Sequence, residues 1–275
     1  MALQLMYITN NPQIAKIADD TGVDRIWIDL EQLGKEERQK GMNTVKSKHS
    51  FDDIKIIKSI LKTAKLQVRI NPININSEWE IETAITNGAD YIMLPYYKTI
   101  DEVKTFFRLV NQRVKTILLL ETKEAVDIID ETLNLPEIDE VHIGLNDLHL
   151  SYGMTFMFEL LVNGTVEDLC NKMREKNIFY GFGGIAKLGE GLLPAEYVIA
   201  EHYRLHSQAA ILSRSFYDSV DETDYIAIKS FFEESMMELR QYEECLAEQN
   251  EEFFENNHKK IKVIVDEIVR KKKER

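Results

Sequence analysis

Several apolar runs of this chain end on side chains that could do chemistry. RIWIDL (25–30) brings in Asp29 and leads to Glu31, LQVRIN (66–71) ends with Arg69 and Asn71, and TILLLE (116–121) ends on Glu121. EVHIG (140–144) leads into Asn146 and Asp147, and AAILS (209–213) into Ser213 and Arg214. A charge at the end of a buried run is costly unless it is paired or bound. Carboxylates gathered with an arginine suit a hard divalent cation and an anionic ligand. Oxygen donors fit Mg²⁺ or Mn²⁺, whereas zinc calls for His or Cys. Salt bridges between layers of side chains account for the same residues equally well at this point.

The elements that must position these groups are legible from hydrophobic periodicity. Runs of four to eight residues rich in Ile, Val, Leu, Tyr and Phe read as buried parallel strands at 3–8, 25–30, 66–71, 90–94, 116–121, 140–144, 178–182 and 209–213. Amphipathic stretches between them predict helices near 11–20, 51–63, 77–87, 100–112, 122–133, 165–176 and 194–205. Helix-start signals stand at Asn11 before Pro12, at Ser50, and at Thr165 with Asp168 three positions on. Eight alternations within 275 residues predict an α/β fold, a (β/α)₈ TIM barrel, with an open doubly wound sheet as the alternative. In a barrel the catalytic groups come from the C-terminal ends of the strands, which is where the charged residues above fall. The expected division is a catalytic barrel over 1–220 and a helical extension over 221–275. Phe231, Phe232, Met236, Met237 and Leu239 give the extension an apolar stripe, so it is either a solvated tail or an oligomerisation element. A polar loop from Glu31 to His49, longer than a barrel needs, sits at the functional end of the second strand.

Composition excludes some functions. A net charge of −13 argues against nucleic acid, which would select a basic face. No apolar run approaches the roughly 20 residues of a membrane span, and the start lacks the basic flank of a signal peptide. Cys170 and Cys245 form no CxxC or Cys/His cluster, which fits buried or incidental thiols in a reducing, cytoplasmic compartment.

Five segments in register carry a resemblance: WIDLEQ (27–32), QVRINP (67–72), GADYIMLP (88–95), LLLETKEAV (118–126) and IDEVHIGLNDLHLSYG (138–153). The chain resembles the HpcH/HpaI aldolase and citrate-lyase β-subunit family over about residues 5–216. That resemblance implies a class II, metal-dependent carbon–carbon lyase that cleaves or forms a 2-oxo-acid aldol through a pyruvate-like enolate. It implies Mg²⁺ or Mn²⁺ on Glu121 and Asp147, and Arg69 on the substrate's oxygen. Asn71 beside it and Gly184, in the small-residue segment after strand seven, are the further substrate-binding candidates. The expected partners are a small-molecule 2-oxo acid with an aldehyde or acyl group, and a homo-oligomer is expected on the same ground.

One position departs from the family pattern. Family aldolases commonly carry His after the Glu of the second-strand motif, and this chain has Gln32, whose amide is no general base. The candidates for moving the proton are then Glu31, His49, His149 or a metal-bound water. Two rival functions stand: a citrate-lyase-like acyl or CoA-ester lyase, toward which the RINP segment and its loop ININSEW lean, and a non-catalytic barrel that binds metal and 2-oxo acid, which Gln32 keeps open.

Other signals are set aside. His202 and His206 share a helix spacing without an HExxH pattern. GFGGIAKLGEG (181–191) lacks the strand–GxGxxG–helix setting of a nucleotide loop. Lys98 and Lys123 have no apolar slot to make a Schiff-base amine, and Trp27 and Trp79 read as packing residues.

Overall fold

The structure, a computed structural model, describes residues 2–34, 48–216 and 223–274. Residues 35–47 of the long loop and the expected boundary at 220/221 lie outside the described residues. Eight strands, β1 (Gln4–Ile8), β2 (Arg25–Asp29), β3 (Lys65–Arg69), β4 (Tyr91–Leu94), β5 (Lys115–Leu120), β6 (Glu140–Ile143), β7 (Phe179–Ile185) and β8 (Ala209–Leu212), close into a barrel in sequence order. Strands β2 to β5 pair in parallel with one another, as do β7, β8 and β1. The helices that alternate with them complete the (β/α)₈ TIM barrel with its C-terminal helical extension.

By internal contacts the chain falls into two compact units, residues 7–141 and residues 1–6 with 142–275. The first unit holds α1 (Pro12–Asp20), α2 (Phe51–Ile60), α3 (Ser77–Thr86), α4 (Ile100–Val110), α5 (Lys123–Asp127) and α6 (Ile129–Thr132). Their starts obey local rules. Asn11 accepts the Gln13 and Ile14 N–H groups with Pro12 at the first helical position, and Thr99 with Glu102 closes a capping box on α4. The expected single helix at 122–133 is two short ones that share Ile128 as a boundary.

Alternation along β2 and β3 sends Trp27 and Asp29, with Gln67 and Arg69, to one face, and all four are buried. Arg25, on the same face at the start of β2, meets Glu140 at 2.6 Å, both nearly inaccessible. Burial pushes the Glu140 carboxyl up to about 7, with the Arg25 charge pulling the other way.

The second unit contains α7 (Leu145–Ser151), α8 (Glu159–Val162), α9 (Thr165–Glu175), α10 (Ala195–Arg204), α11 (Tyr225–Ala247) and α12 (Glu251–Lys273). Strand β7 runs three residues past its expected end because the Gly181–Gly184 stretch accommodates a register shift against β8. A Cβ at Gly181 would stand 2.3 Å from the Ala209 carbonyl oxygen, so only glycine lets the two backbones approach. The last two helices are fastened to this unit. Glu243 accepts the Leu3 N–H at 2.8 Å, and buried Glu201 holds His258 at 3.1 Å and Arg204 at 3.0 Å. Phe232, Met236 and Leu239 are the buried side of α11, and Met237 faces out.

His202 is a core residue. It stacks on Phe182 with ring centroids 3.8 Å apart, and its Nδ1 meets the Ser207 hydroxyl at 2.9 Å. Burial, reinforced by His142, lowers its pKa to about 3, so it packs as a neutral ring. Among the described residues no helix is long and apolar enough to cross a membrane.

Candidate active site

Arg69, the last residue of β3, is the centre of the site in the 7–141 unit. Asp29 at the end of β2 receives its Nε–H and one Nη2–H, each at 2.8 Å, in a fork that fixes the guanidinium plane. The Nη1 atom lies 3.3 Å from Glu31 Oε2. The guanidinium carbon stands 5.1 Å from the Trp27 ring centre, so the indole face supports the cation from one side. Burial works against the charge on Arg69, but Asp29 and Glu31, and then Glu121, outweigh it and hold the pKa above that of an ordinary arginine. Arg69 is therefore a cation kept charged and held in one orientation by its carboxylate partners.

Glu121 follows β5 and is 2% exposed. Its Oε1 accepts the Tyr96 N–H at 3.0 Å, and Tyr96 adopts a positive φ of 50° to present that group. The next residue, Thr122, caps α5 and donates its hydroxyl to the Tyr97 carbonyl, which ties the β4 and β5 ends together. Tyr97 is buried, its hydroxyl has no hydrogen-bond partner among the described residues, and burial followed by the field of Glu121 raises its pKa.

The structure thus gathers Arg69, Glu31 and Asp29 in direct contact, with Glu121 in electrostatic range. It gives other candidates definite duties. His49 is buried, and its Nδ1 accepts the Asp29 N–H at 2.9 Å. With that lone pair occupied, a neutral His49 carries its proton on Nε2 and has no second lone pair to act as a base. Asn71 uses its amide oxygen on the Gln32 and Leu33 N–H groups, at 2.9 and 3.0 Å, and its amide nitrogen on Glu80 at 3.1 Å. Glu80 was not singled out by sequence; nothing in SEWE (77–80) separates it from the exposed Glu78 except the helical face it lands on.

Asp147 and Gly184 belong to the other unit. Asp147 stands in the first turn of α7. A Cβ at Gly184 would lie 3.1 Å from the Ile211 carbonyl oxygen, so close packing against β8 already accounts for that glycine. His149, late in α7, is buried with Nδ1 at 3.2 Å from the Leu145 carbonyl, and burial first of all lowers its pKa.

The donors fit a hard cation. Glu121 offers a buried, oriented carboxylate, and the carboxylates of Asp29 and Glu31 are held by the arginine. Among the described residues no three His, Cys, Asp or Glu side chains are grouped to hold a metal on their own. An ion here would complete its shell with water and ligand oxygens, as Mg²⁺ ordinarily does. A groove of about 590 Å³ lined by Asp90, Arg113, Lys115 and Asp139 opens instead at the N-terminal ends of β4 and β5 and touches none of the site residues.

Residues 4–159 match the family described as HpcH/HpaI aldolase/citrate lyase. No curated protein sequence matches the chain. Among solved structures, the HpcH/HpaI aldolase from Desulfitobacterium hafniense DCB-2 superposes with a TM-score of 0.60 at 16% identity, over 77% of this chain and 86% of that one. An HpcH/HpaI aldolase/citrate lyase family protein from Burkholderia cenocepacia J2315 gives 0.59 at 15% identity, over 86% and 95%. Macrophomate synthase gives 0.56 at 15% identity, over 76% and 78%. At such identities the superpositions speak for the fold, and the family match speaks for descent. This chain belongs to the HpcH/HpaI aldolase/citrate lyase family, a family of carbon–carbon lyases.

Proposed function

We propose that the protein is a divalent-metal-dependent lyase that makes and breaks a carbon–carbon bond through the enolate of a 2-oxo acid. The observation that carries this reading is Arg69: a buried cation clamped by Asp29, steadied by Glu31 and ringed by carboxylates at strand C-terminal ends. Cleavage beside a carbonyl sends the bonding electron pair onto the carbonyl oxygen as an enolate, and that charge must be met as it forms. Arg69 is preorganised for this, because its fork to Asp29 leaves it unable to turn away.

Glu121 is the metal ligand supplied by the 7–141 unit, and Asp147 is the second ligand expected from the family resemblance. When bound, Mg²⁺ or Mn²⁺ supplies Lewis-acid polarisation of the 2-oxo acid. Glu31 is the carboxylate beside Arg69 that can receive the proton. It takes the hydroxyl proton of the aldol as the bond to the enolate carbon breaks, and returns a proton to that carbon to release the 2-oxo acid. His49, fixed through Nδ1, donates from Nε2 and orients. The acceptor is an aldehyde or acyl group, the protein is a homo-oligomer, and its compartment is the cytoplasm.

The test is exchange of the methyl protons of pyruvate in D₂O, followed by NMR with Mn²⁺ or Mg²⁺ and again with EDTA. Exchange that needs the metal supports the enolate. Exchange that persists in EDTA overturns metal dependence. No exchange under either condition turns the assignment to an acyl-ester lyase or a binding barrel.

A further inference from the structure

Resting on the enolate reading, we infer that Glu80 and Asn71 are positioning residues that hold the start of the loop after β2, and with it Glu31, against Arg69. Glu80 is 4% exposed although it stands on a surface helix, α3. Its Oε2 accepts the Asn71 backbone N–H at 3.1 Å, and its Oε1 accepts from the amide nitrogens of Asn71 at 3.1 Å and Asn74 at 3.3 Å. A carboxylate can only accept, so it forces the Asn71 amide to turn its nitrogen inward and its oxygen outward. That oxygen then takes two consecutive backbone N–H groups, Gln32 and Leu33. Glu31 is the residue before them, and its own N–H is held by Asp29 Oδ1 at 3.2 Å. The segment 31–33 is therefore pinned at three successive amides, one by the arginine's partner Asp29 and two by Asn71, two residues after the arginine.

The charge on Glu80 sets the direction of the whole relay. Replacing it with an amide removes that constraint: the Asn71 amide can flip and present N–H groups to the N–H groups of Gln32 and Leu33. The same logic gives a rescue. An aspartate at 71 accepts both loop amides but is repelled by Glu80. With glutamine at 80 the repulsion is gone, and that amide can donate to the new carboxylate while still accepting the residue 71 N–H. Glu80→Gln and Asn71→Asp should each fail, and the double variant should recover.

Two readouts separate this proposal from the function it rests on. Hydrogen–deuterium exchange of the peptide carrying Gln32 and Leu33 reads the clamp without any substrate. Protection is expected to fall about 10-fold or more in each single variant and to return in the double variant. The metal-dependent exchange of pyruvate methyl protons reads the consequence. Its maximal rate is expected to fall about 10- to 100-fold in each single variant with the melting temperature within a few degrees of the parent, and to return in the double variant. Unchanged protection in Glu80→Gln would overturn the clamp. Lost protection with an unchanged pyruvate rate would overturn its role at Arg69. Lost and rescued protection in a protein whose parent exchanges no pyruvate would uphold the clamp and sink the enolate reading instead.

Discussion

At the N-terminal ends of the strands in the 7–141 unit, acidic side chains each pair with a basic group or a backbone amide. Asp90 accepts the Leu66 N–H and the Lys58 ammonium, Asp139 accepts the Thr116 N–H and the Lys115 ammonium, and Glu140 faces Arg25. At the C-terminal ends, one guanidinium serves both Asp29 and Glu31 and lies in the field of Glu121. The first arrangement ties strand starts to one another through separate pairs. The second concentrates several carboxylates around one buried cation. Both arginines are buried, so inaccessibility alone does not mark a site; what differs is that Arg69 stands at the strand C-terminal ends among Asp29, Glu31 and Glu121.

The largest test of this contrast is Arg69→Met. Losing a preorganised donor at a developing oxyanion should lower pyruvate exchange by about 10²–10³-fold, measured at saturating pyruvate and metal. It also leaves Asp29 and Glu31 buried without their cation, at about 3–5 kcal/mol of stability in a urea titration. Glu140→Ala should cost a similar amount of stability, about 3–5 kcal/mol, because the buried Arg25 loses its carboxylate. Its exchange rate per folded molecule should match the parent. A fall in rate as large as that of Arg69→Met would break the distinction between the two ends.

Replacing both bottom partners, as Arg25→Met with Glu140→Met, should be neutral or stabilising by up to about 4 kcal/mol. The same pair of variants sharpens the pH dependence. The folded Glu140 carboxyl holds its proton to about 7, above its ordinary 4.5, so its contribution to stability is complete below about 4.5 and is lost as pH rises through about 7. That decline, at most about 1.4 kcal/mol per pH unit, should vanish in the double methionine variant. His202 acts in the opposite sense in the other unit. Its pKa falls from 6.5 to about 3, so it stabilises the neutral-pH fold and that contribution drains away as pH falls from 6.5 toward 3. His202→Gln should flatten the acid limb of a melting-temperature profile, the smallest of these effects.

The strands were legible because parallel strands buried on both faces must be continuous apolar runs, and each of the eight lies within a few residues of its expected span. The charged residues at their ends were legible for the same reason, since they interrupt such runs. Sequence could not show that Arg25 and Glu140 meet, 115 positions apart, or that His49 spends its lone pair on a backbone amide. Nor could it show that Asn71, a substrate-binding candidate, holds the Gln32 and Leu33 amides. Glu80 gave no signal, because the face of α3 that turns inward depends on packing and not on composition. The short helices α7 and α8 also escaped, being too brief for a 3.6-residue period to emerge.

The most direct test of the account is a calorimetric titration of Mn²⁺ into the wild-type protein, Glu121→Gln and the Arg25→Met/Glu140→Met variant. One bound ion per chain is expected in the wild type and in the methionine variant, and loss of binding in Glu121→Gln. Binding that survives Glu121→Gln, or a wild-type protein that takes up no Mn²⁺, would contradict it.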